Sequence, residues 1–529
     1  MSDPHSYNLL TERWIPVTWR NDAAEPKEHR VGIWEALDRS NEIKCISHTS
    51  PFIEFGLYRL LITIVLDAYT VAGKRPTIGK VRALLSEQHL DAQVIHEYLD
   101  KYGEAFDLWN SRLPFLQLGG RNDDVKEPNP KPIVTLFAAI PSGNNVTHWH
   151  HYREGEDTAA LTENVAAQLL TTVSPFNFKV KPGEVRTLTG DPPLYAVVLG
   201  RNLFETIILN LPGRNGRITA KQEQDNGPVW RTPLDLHRLP RTPTIAQGFT
   251  WPVRAITLQR DGPRIARAIN QAAYGKPTEK AKQKGGNLFD ARYGWRDPSA
   301  GVKTAADRIA HIKATPGVAI WRDAVPLFLV ASEGEALRNG KRRSRPEVIS
   351  NALRVLDTPR FRVAVYGMRK KGGGGDVKLE EWFRSVLTIP TEVARDSRFS
   401  ARAIYAFSRV QKVADDLQTA LRMLRPLSEA KKADRKRIYH AEADSLNGFW
   451  QRLELPLSST YLEALGSGDS AAEETLLNLV RKEVRAVFAH ASGSQRRTAD
   501  GLFRIANADN WFEGRLNRLL PKPRKEKEP

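Results

Sequence analysis

The segment Ser50–Ala68 leaves this chain the least freedom. Pro51 suits the first turn of a helix behind Ser50, and Phe52, Phe55, Leu57, Leu60, Leu61, Ile64, Val65 and Ala68 then cover a wide apolar face. Such a helix has to be wrapped by other elements, so it is expected at the core of a body and not at a functional surface. It is not read as a membrane span. The run Phe52–Ala68 is interrupted by Glu54, Arg59 and Asp67, and no apolar run reaches the roughly 20 residues a bilayer requires. The opening MSDPHSYNLL lacks a basic segment followed by an apolar core, so no secretory signal is read and a cytoplasmic location without a membrane partner is expected.

Around this helix the patterns alternate in type. NLLTERWIPVTWR gives a strand flanked by Trp14 and Trp19, with Pro16 arguing for an edge or a bend. One helical stretch is expected over Val81–Tyr102. It leads to FDLWNSRLPFLQLGG, where Phe106, Leu108, Trp109, Leu113, Phe115 and Leu116 read as packing residues around a turn. Ala159–Thr172 is helix-like, and WPVRAITLQ from Trp251 reads as a strand. Beyond Pro390 the pattern changes. Phe399, Ala403, Ala406, Val410, Val413, Leu417, Ala420 and Leu424 fall three and four residues apart, Pro426 stops the run, and helical segments follow at about 428–455, 470–490 and 496–520. The expected fold class is α+β: a mixed α/β body over residues 1–392, a C-terminal four-helix bundle over 393–520, and a disordered basic tail over 521–529.

Charge narrows the partners. Lys and Arg total 79 against 61 Asp and Glu, a formal excess of +18, which favours a polyanion such as nucleic acid. The single cysteine, Cys45, excludes an internal disulfide and a multi-cysteine zinc site and reads as an inert buried thiol. The most distinctive basic stretch is Phe361–Trp382. A strand through Phe361, Val363 and Val365 ends on Arg369, Lys370 and Lys371, and a helix is expected after Asp376 from Val377, Leu379, Trp382 and Phe383. Between them Gly372, Gly373, Gly374 and Gly375 remove every Cβ. A cationic tip without side chains suits close approach to a minor groove or to phosphates; the same residues also suit a mobile linker with solvated lysines.

Other stretches carry the same double reading. Lys276, Lys280, Lys282 and Lys284 crowd one glycine-closed excursion, and Lys341, Arg342, Arg343 and Arg345 form a second basic knot. Lys179, Lys181 and Arg186 in SPFNFKVKPGEVR meet phosphate or stand on a solvated strand face. In PSGNNVTHWHHY, Ser142, Gly143, Asn144 and Asn145 precede His148, Trp149, His150, His151 and Tyr152. That set offers a platform for unstacked bases, a histidine cluster for a metal, or a buried turn. Its spacing matches no helix-borne ligand pair, so no metal is assigned. No phosphate-binding Gly-Lys-Ser/Thr loop, His-Glu-x-x-His, Gly-x-Ser-x-Gly or cysteine pair is present. No catalytic residue or cofactor is assigned, and a binding protein is favoured over an enzyme. The alternative is a metal-dependent nuclease, or another nucleic-acid enzyme, with dispersed carboxylates or His148–His151 as ligands.

Five stretches taken together, NLLTERWIPV, FDLWNSRLPFLQ, PSGNNVTHW, TWPVRAITL and VAVYGMRKK, occur in an order and at a spacing that resembles one family. It is the large subunit of the type I-E CRISPR effector complex Cascade, the CasA family, and the resemblance runs from residue 8 through the helical C-terminal part. The resemblance implies a non-catalytic subunit that reads the protospacer-adjacent motif of double-stranded target DNA from the minor groove and helps to separate the strands. It further implies contacts with other Cascade subunits, a hold on the 5′ end of the guide RNA, and recruitment of a helicase-nuclease. By position, the guide-RNA loop corresponds to Ser142, Gly143, Asn144, Asn145 and Trp149. A glycine loop corresponds to Phe176–Gly183 with Lys179 and Lys181, a lysine finger to Lys280, Lys282 and Lys284, and a wedge to Lys370–Gly375 beside Arg369. Two departures stand out: glycines replace the wedge glutamine, and Phe176, Asn177 and Phe178 occupy the glycine-loop region with Gly183 only later. The zinc-type cysteines of some members are not kept.

Overall fold

The chain opens on strands β1 (Ile15–Trp19), β2 (Arg30–Val31) and β3 (Ile43–Ile46), with helix α1 (Ile33–Asp38) before the last. The computed structural model describes residues 6–20, 28–117, 130–133, 160–176, 188–189, 192–213, 219–233, 242–251, 253–262, 264–272, 295–305, 308–315, 325, 328–329, 342–371, 378–425 and 432–520. These fall into two units: residues within Met1–Ala314, Gly334–Asp357 and Arg362–Val386, and residues within Thr315–Glu333, Thr358–Phe361 and Leu387–Pro529.

Strand β1 lies in the middle of its sheet, in the order β2-β1-β3, and not at the edge that Pro16 suggested. The ring is accommodated because the donors toward β2 come from its neighbours. Trp14 N–H reaches Val31 O at 3.2 Å and Val17 N–H reaches His29 O at 2.9 Å, while Pro16 contributes its carbonyl to Ser47 N–H at 3.0 Å.

Helix α2 (Pro51–Val71) is buried at every residue from Phe52 to Thr70, with Ser50 in the N-cap position and Pro51 in the first turn. Helices α3 (Ile78–Glu87) and α4 (Ala92–Tyr102) replace the single helix expected over Val81–Tyr102. Gln88 adopts a left-handed conformation with φ 63° and closes α3 on Leu84 O, and the Asp91 carboxylate caps α4 by accepting Val94 N–H at 3.3 Å. Strand β4 (Lys131–Pro132) and helix α5 (Glu163–Phe176) follow. Helix α5 lies against α2 so closely that a Cβ on Gly56 would be 2.3 Å from Thr171 Oγ1 and 2.9 Å from Thr171 O. Alanine at position 56 gains about 1 kcal/mol in helix propensity, but overpacking costs about 1–3 kcal/mol and a backbone oxygen cannot rotate away. We expect Gly56→Ala to lower stability by up to about 2 kcal/mol in chemical denaturation, against the sign propensity alone gives.

The first unit continues through β5 (Tyr195–Leu199), α6 (Leu203–Leu209), α7 (Ala220–Asp225), α8 (Ile245–Phe249), β6 (Arg254–Asp261), β7 (Arg264–Ala272), β8 (Val302–Ala305), β9 (Arg308–His311), β10 (Arg342–Ser344) and α9 (Glu347–Val355). Strands β11 (Arg360–Lys371) and β12 (Lys378–Pro390) then form adjacent strands of a sheet ordered β12-β11-β5, with Arg362 opposite Leu199 and Tyr366 opposite Tyr195. The helix expected after Asp376 is therefore corrected to a strand. Leu379, Phe383 and Leu387 are buried, and a spacing of four satisfies a two-residue period as well as a helical turn. Pairing with β11 decides between them. Two further sheets are ordered β4-β7-β6 and β10-β8-β9.

The second unit holds α10 (Thr391–Arg395), α11 (Ser397–Leu424), α12 (Lys432–Leu455), α13 (Tyr461–Gly466), α14 (Ala472–Ser492) and α15 (Ala499–Leu519). Its four long helices match the expected bundle. Ala403, Ala406, Val410, Val413, Leu417, Ala420 and Leu424 of α11 are all buried. Charged side chains stitch the rims: Arg515 Nε to Asp416 Oδ2 at 3.1 Å, Arg422 Nη2 to Glu442 Oε1 at 2.9 Å, and Arg485 Nη2 to Glu513 Oε2 at 2.5 Å. The chain as a whole is a mixed helix and strand protein with a C-terminal helical part.

Candidate nucleic-acid interface

Strand β11 runs from a buried stem to a basic end. Val363, Ala364, Val365 and Tyr366 are fully buried, and Gly367 lets the ring of Phe383 on β12 cross the strand: a Cβ there would lie 2.6 Å from Phe383 Cζ and 3.0 Å from Leu194 Cδ2. The Tyr366 hydroxyl donates to Glu54 Oε1 at 2.6 Å, and Arg384 Nε on β12 donates to the same oxygen at 2.8 Å. One carboxylate of α2 therefore grips both strands. Burial pushes the Glu54 carboxyl above its usual range, and burial followed by the Glu54 charge pushes the Tyr366 phenol up as well.

Nearer the tip, Arg369 is 9 % exposed, ion-paired with Glu381, and lies 5.3 Å over the ring of Phe383. The sequence groups it with two lysines as a cation for a ligand; here its guanidinium braces the ribbon from within. Lys370 and Lys371 close β11, with the backbone alone described. Gly372, Gly373, Gly374 and Gly375 lie outside the described residues.

The structure brings together described residues that adjoin three basic segments in the chain. Phe176, the last residue of α5, is buried with its ring 4.3 Å from Phe52 and 5.5 Å from Phe55. Lys179 and Lys181 follow it, outside the described residues. Trp382 of β12 packs 5.9 Å from the same Phe52. The segment holding Lys280, Lys282 and Lys284 also lies outside the described residues, which resume at Trp295. Two residues on, Arg59 Nη2 donates to Asp297 Oδ2 at 2.5 Å and to Ser299 Oγ at 3.1 Å. Ala196 N–H of β5 reaches Ser299 O at 2.7 Å, so this stretch flanks the sheet that carries the β11–β12 hairpin. The Arg59 guanidinium is enclosed by Phe55, Tyr195 and Phe249, at 4.8, 4.8 and 4.6 Å from their ring centres. Phe176, Trp382 and Asp297 thus all meet α2 between Phe52 and Arg59, about 10 Å of helix.

The loop matched to guide RNA has a separate base. Lys131 of β4 lies opposite Ala268 of β7, and Leu161 bridges Ile265 of the same strand, so the described residues on either side of 134–159 both lie beside β7. Ser142, Gly143, Asn144, Asn145 and Trp149, together with His148–His151, lie outside the described residues.

Glu54, Arg59 and Asp67 are the residues that sequence reasoning missed. They are 3 %, 6 % and 1 % exposed, and each takes a distant partner. The signal was present, because a charge inside an apolar helix must be paired when buried. The identity of the partner was not. Among the described residues no group of three or more His, Cys, Asp or Glu side chains is placed to hold a metal ion, and no helix is long and apolar enough to cross a membrane. Cys45 is half-buried, and burial raises its thiol pKa. A cleft opens beside Leu60, Leu116, Leu170, Trp230 and Phe249. Its Gln117 is engaged by the fold: Nε2 donates to Leu108 O and Oε1 accepts Leu258 N–H, both at 2.8 Å.

Known proteins share this architecture. The family model described as CRISPR-associated protein Cse1 matches residues 8–491. A curated relative, CRISPR-associated protein CasA/Cse1 of Thermus thermophilus, is 31 % identical over 278 residues. That match covers 50 % of this chain and 51 % of the relative, about half of its length. The crystal structure of Thermobifida fusca Cse1 superposes with a TM-score of 0.73 at 20 % identity, covering 98 % of this chain and 99 % of that one. A chain from a structure titled CRISPR RNA-guided surveillance complex superposes with a TM-score of 0.69 at 18 % identity, covering 97 % of this chain and 100 % of that one.

Proposed function

Because this chain belongs to the CRISPR-associated Cse1 (CasA) family, we propose that it is the non-catalytic large subunit of an RNA-guided type I-E surveillance complex. In this role it reads the protospacer-adjacent motif of duplex DNA, helps to part the strands beside it, holds the 5′ end of the guide RNA and recruits a helicase-nuclease. The observation that carries the reading is the hairpin: a strand ending on Lys370 and Lys371 whose stem is clamped on α2, the helix also contacted by Phe176, before one further basic segment, and by Asp297, after another. A backbone-and-ammonium reader in the minor groove discriminates mostly A·T from G·C and so accepts several motifs, leaving sequence specificity to guide pairing.

The test uses the complex assembled with guide RNA. Lys370→Ala with Lys371→Ala is expected to weaken binding to motif-bearing duplex at least tenfold near physiological salt while the complex still assembles. If both lysines meet phosphate, the slope of log affinity against log salt falls by about 2. Unchanged affinity and slope would reject the reading. Cleavage of DNA by the purified chain with Mg²⁺ or Mn²⁺ would reject its non-catalytic part.

A further inference from the structure

Resting on the reading above, we infer that Glu54 and Arg59 are positioning residues for motif discrimination: they hold the hairpin and the stretch after the lysine-rich segment in fixed register without touching DNA. Glu54 accepts from Tyr366 on one strand of the hairpin and from Arg384 on the other. Five residues along the same helix, Arg59 holds Asp297 and Ser299. Strand β5 joins the two from the opposite side, pairing with β11 through Tyr195–Leu199 and reaching Ser299 O through Ala196 N–H. Helix, sheet and this stretch thus form a closed loop of contacts. Neither end can shift without breaking a buried charged hydrogen bond.

Discrimination is the property such a frame controls. Phosphate contacts tolerate small displacements because they are long-range and electrostatic, whereas reading a base edge needs placement to about half an ångström. Both residues are almost wholly buried, so changing them removes no contact with solvent-borne phosphate. Non-specific affinity and its salt dependence should therefore stay constant while the preference among motifs collapses.

The experiment measures, on the complex assembled with guide RNA, affinities for duplexes carrying every short motif beside the guide-complementary sequence, at several salt concentrations. Glu54→Gln keeps an acceptor for Tyr366 but removes the charge facing Arg384; Tyr366→Phe removes one hydroxyl; Arg59→Lys keeps the charge but loses the planar fork. Each is expected to reduce the ratio between best and worst motif by three- to tenfold, with the salt slope unchanged. The control is Tyr98→Phe, which removes a buried hydroxyl bonded to Asp67 on the same helix with no hairpin strand attached. It should leave the ratio intact. A ratio preserved in Glu54→Gln and Tyr366→Phe, or lost equally in Tyr98→Phe, overturns the inference. Absence of any motif preference in the unaltered complex would instead overturn the proposed function, so the two failures are distinguishable. Should Glu54→Gln fail to fold, Tyr366→Phe, a loss of one oxygen atom, decides the matter alone.

Discussion

Asp67→Ala is expected to lower the stability of this protein by about 3–5 kcal/mol, the range for stripping one partner from a buried ion pair. Asp67 is 1 % exposed and takes Arg231 in two parallel bonds, Nε to Oδ2 at 2.7 Å and Nη2 to Oδ1 at 2.9 Å. It also accepts the Tyr98 hydroxyl at 2.7 Å, which in turn accepts Trp230 Nε1 at 2.8 Å. Truncation leaves the guanidinium beside the backbone carbonyls of Glu223 and Gln224, which carry no net charge to oppose it. A drop in melting temperature of about 5 °C should be seen by calorimetry. Replacing both partners, Asp67→Leu with Arg231→Met, should recover most of the loss, because two apolar side chains need no counter-charge. A double variant as unstable as the single one would show that packing, not charge, sets the cost.

Acidification should act through His311. Burial is the largest cause that pushes its pKa down to about 4 from 6.5, opposed by the Asp297 charge. Its Nε2 accepts Asp297 N–H at 3.0 Å, so the folded protein needs the neutral ring. The sign follows from linkage: below pH 6.5 the unfolded chain takes up this proton and the folded one does not, so stability is complete above pH 7 and declines toward pH 4. The decline amounts to about 2 kcal/mol by about pH 5. Tryptophan fluorescence, to which Trp295 with its ring 6.5 Å from His311 contributes, follows denaturation at each pH. In His311→Gln that part of the slope between about pH 7 and 5 should vanish; an unaltered slope would assign the effect to other groups.

Patterns that persist over many residues were legible in the sequence. The stripe from Ala403 to Leu424 and the apolar wrap of Phe52–Ala68 repeat often enough that no neighbour is needed to interpret them. Elements decided by a distant partner were not legible. Leu379, Phe383 and Leu387 satisfy two periods at once, and the choice is made by pairing with β11. The break at Gln88 carries no glycine or proline to announce it. At the candidate interface, composition revealed the cations but not their common footing. The approach of Phe176, Trp382 and Asp297 to one stretch of α2 joins residues far apart in the chain, and no local pattern encodes it.

That footing also orders events at the ribosome. Glu54 is made 312 residues before Tyr366, and Arg59 precedes Asp297 by 238. At roughly 5–20 residues per second the nascent chain holds an uncompensated carboxylate in its most apolar helix for about 15 to 60 s. Throughout that interval the helix is a natural client for chaperones. Fragments ending short of the hairpin inherit the same defect permanently, so it is late synthesis that licenses this early helix to bury.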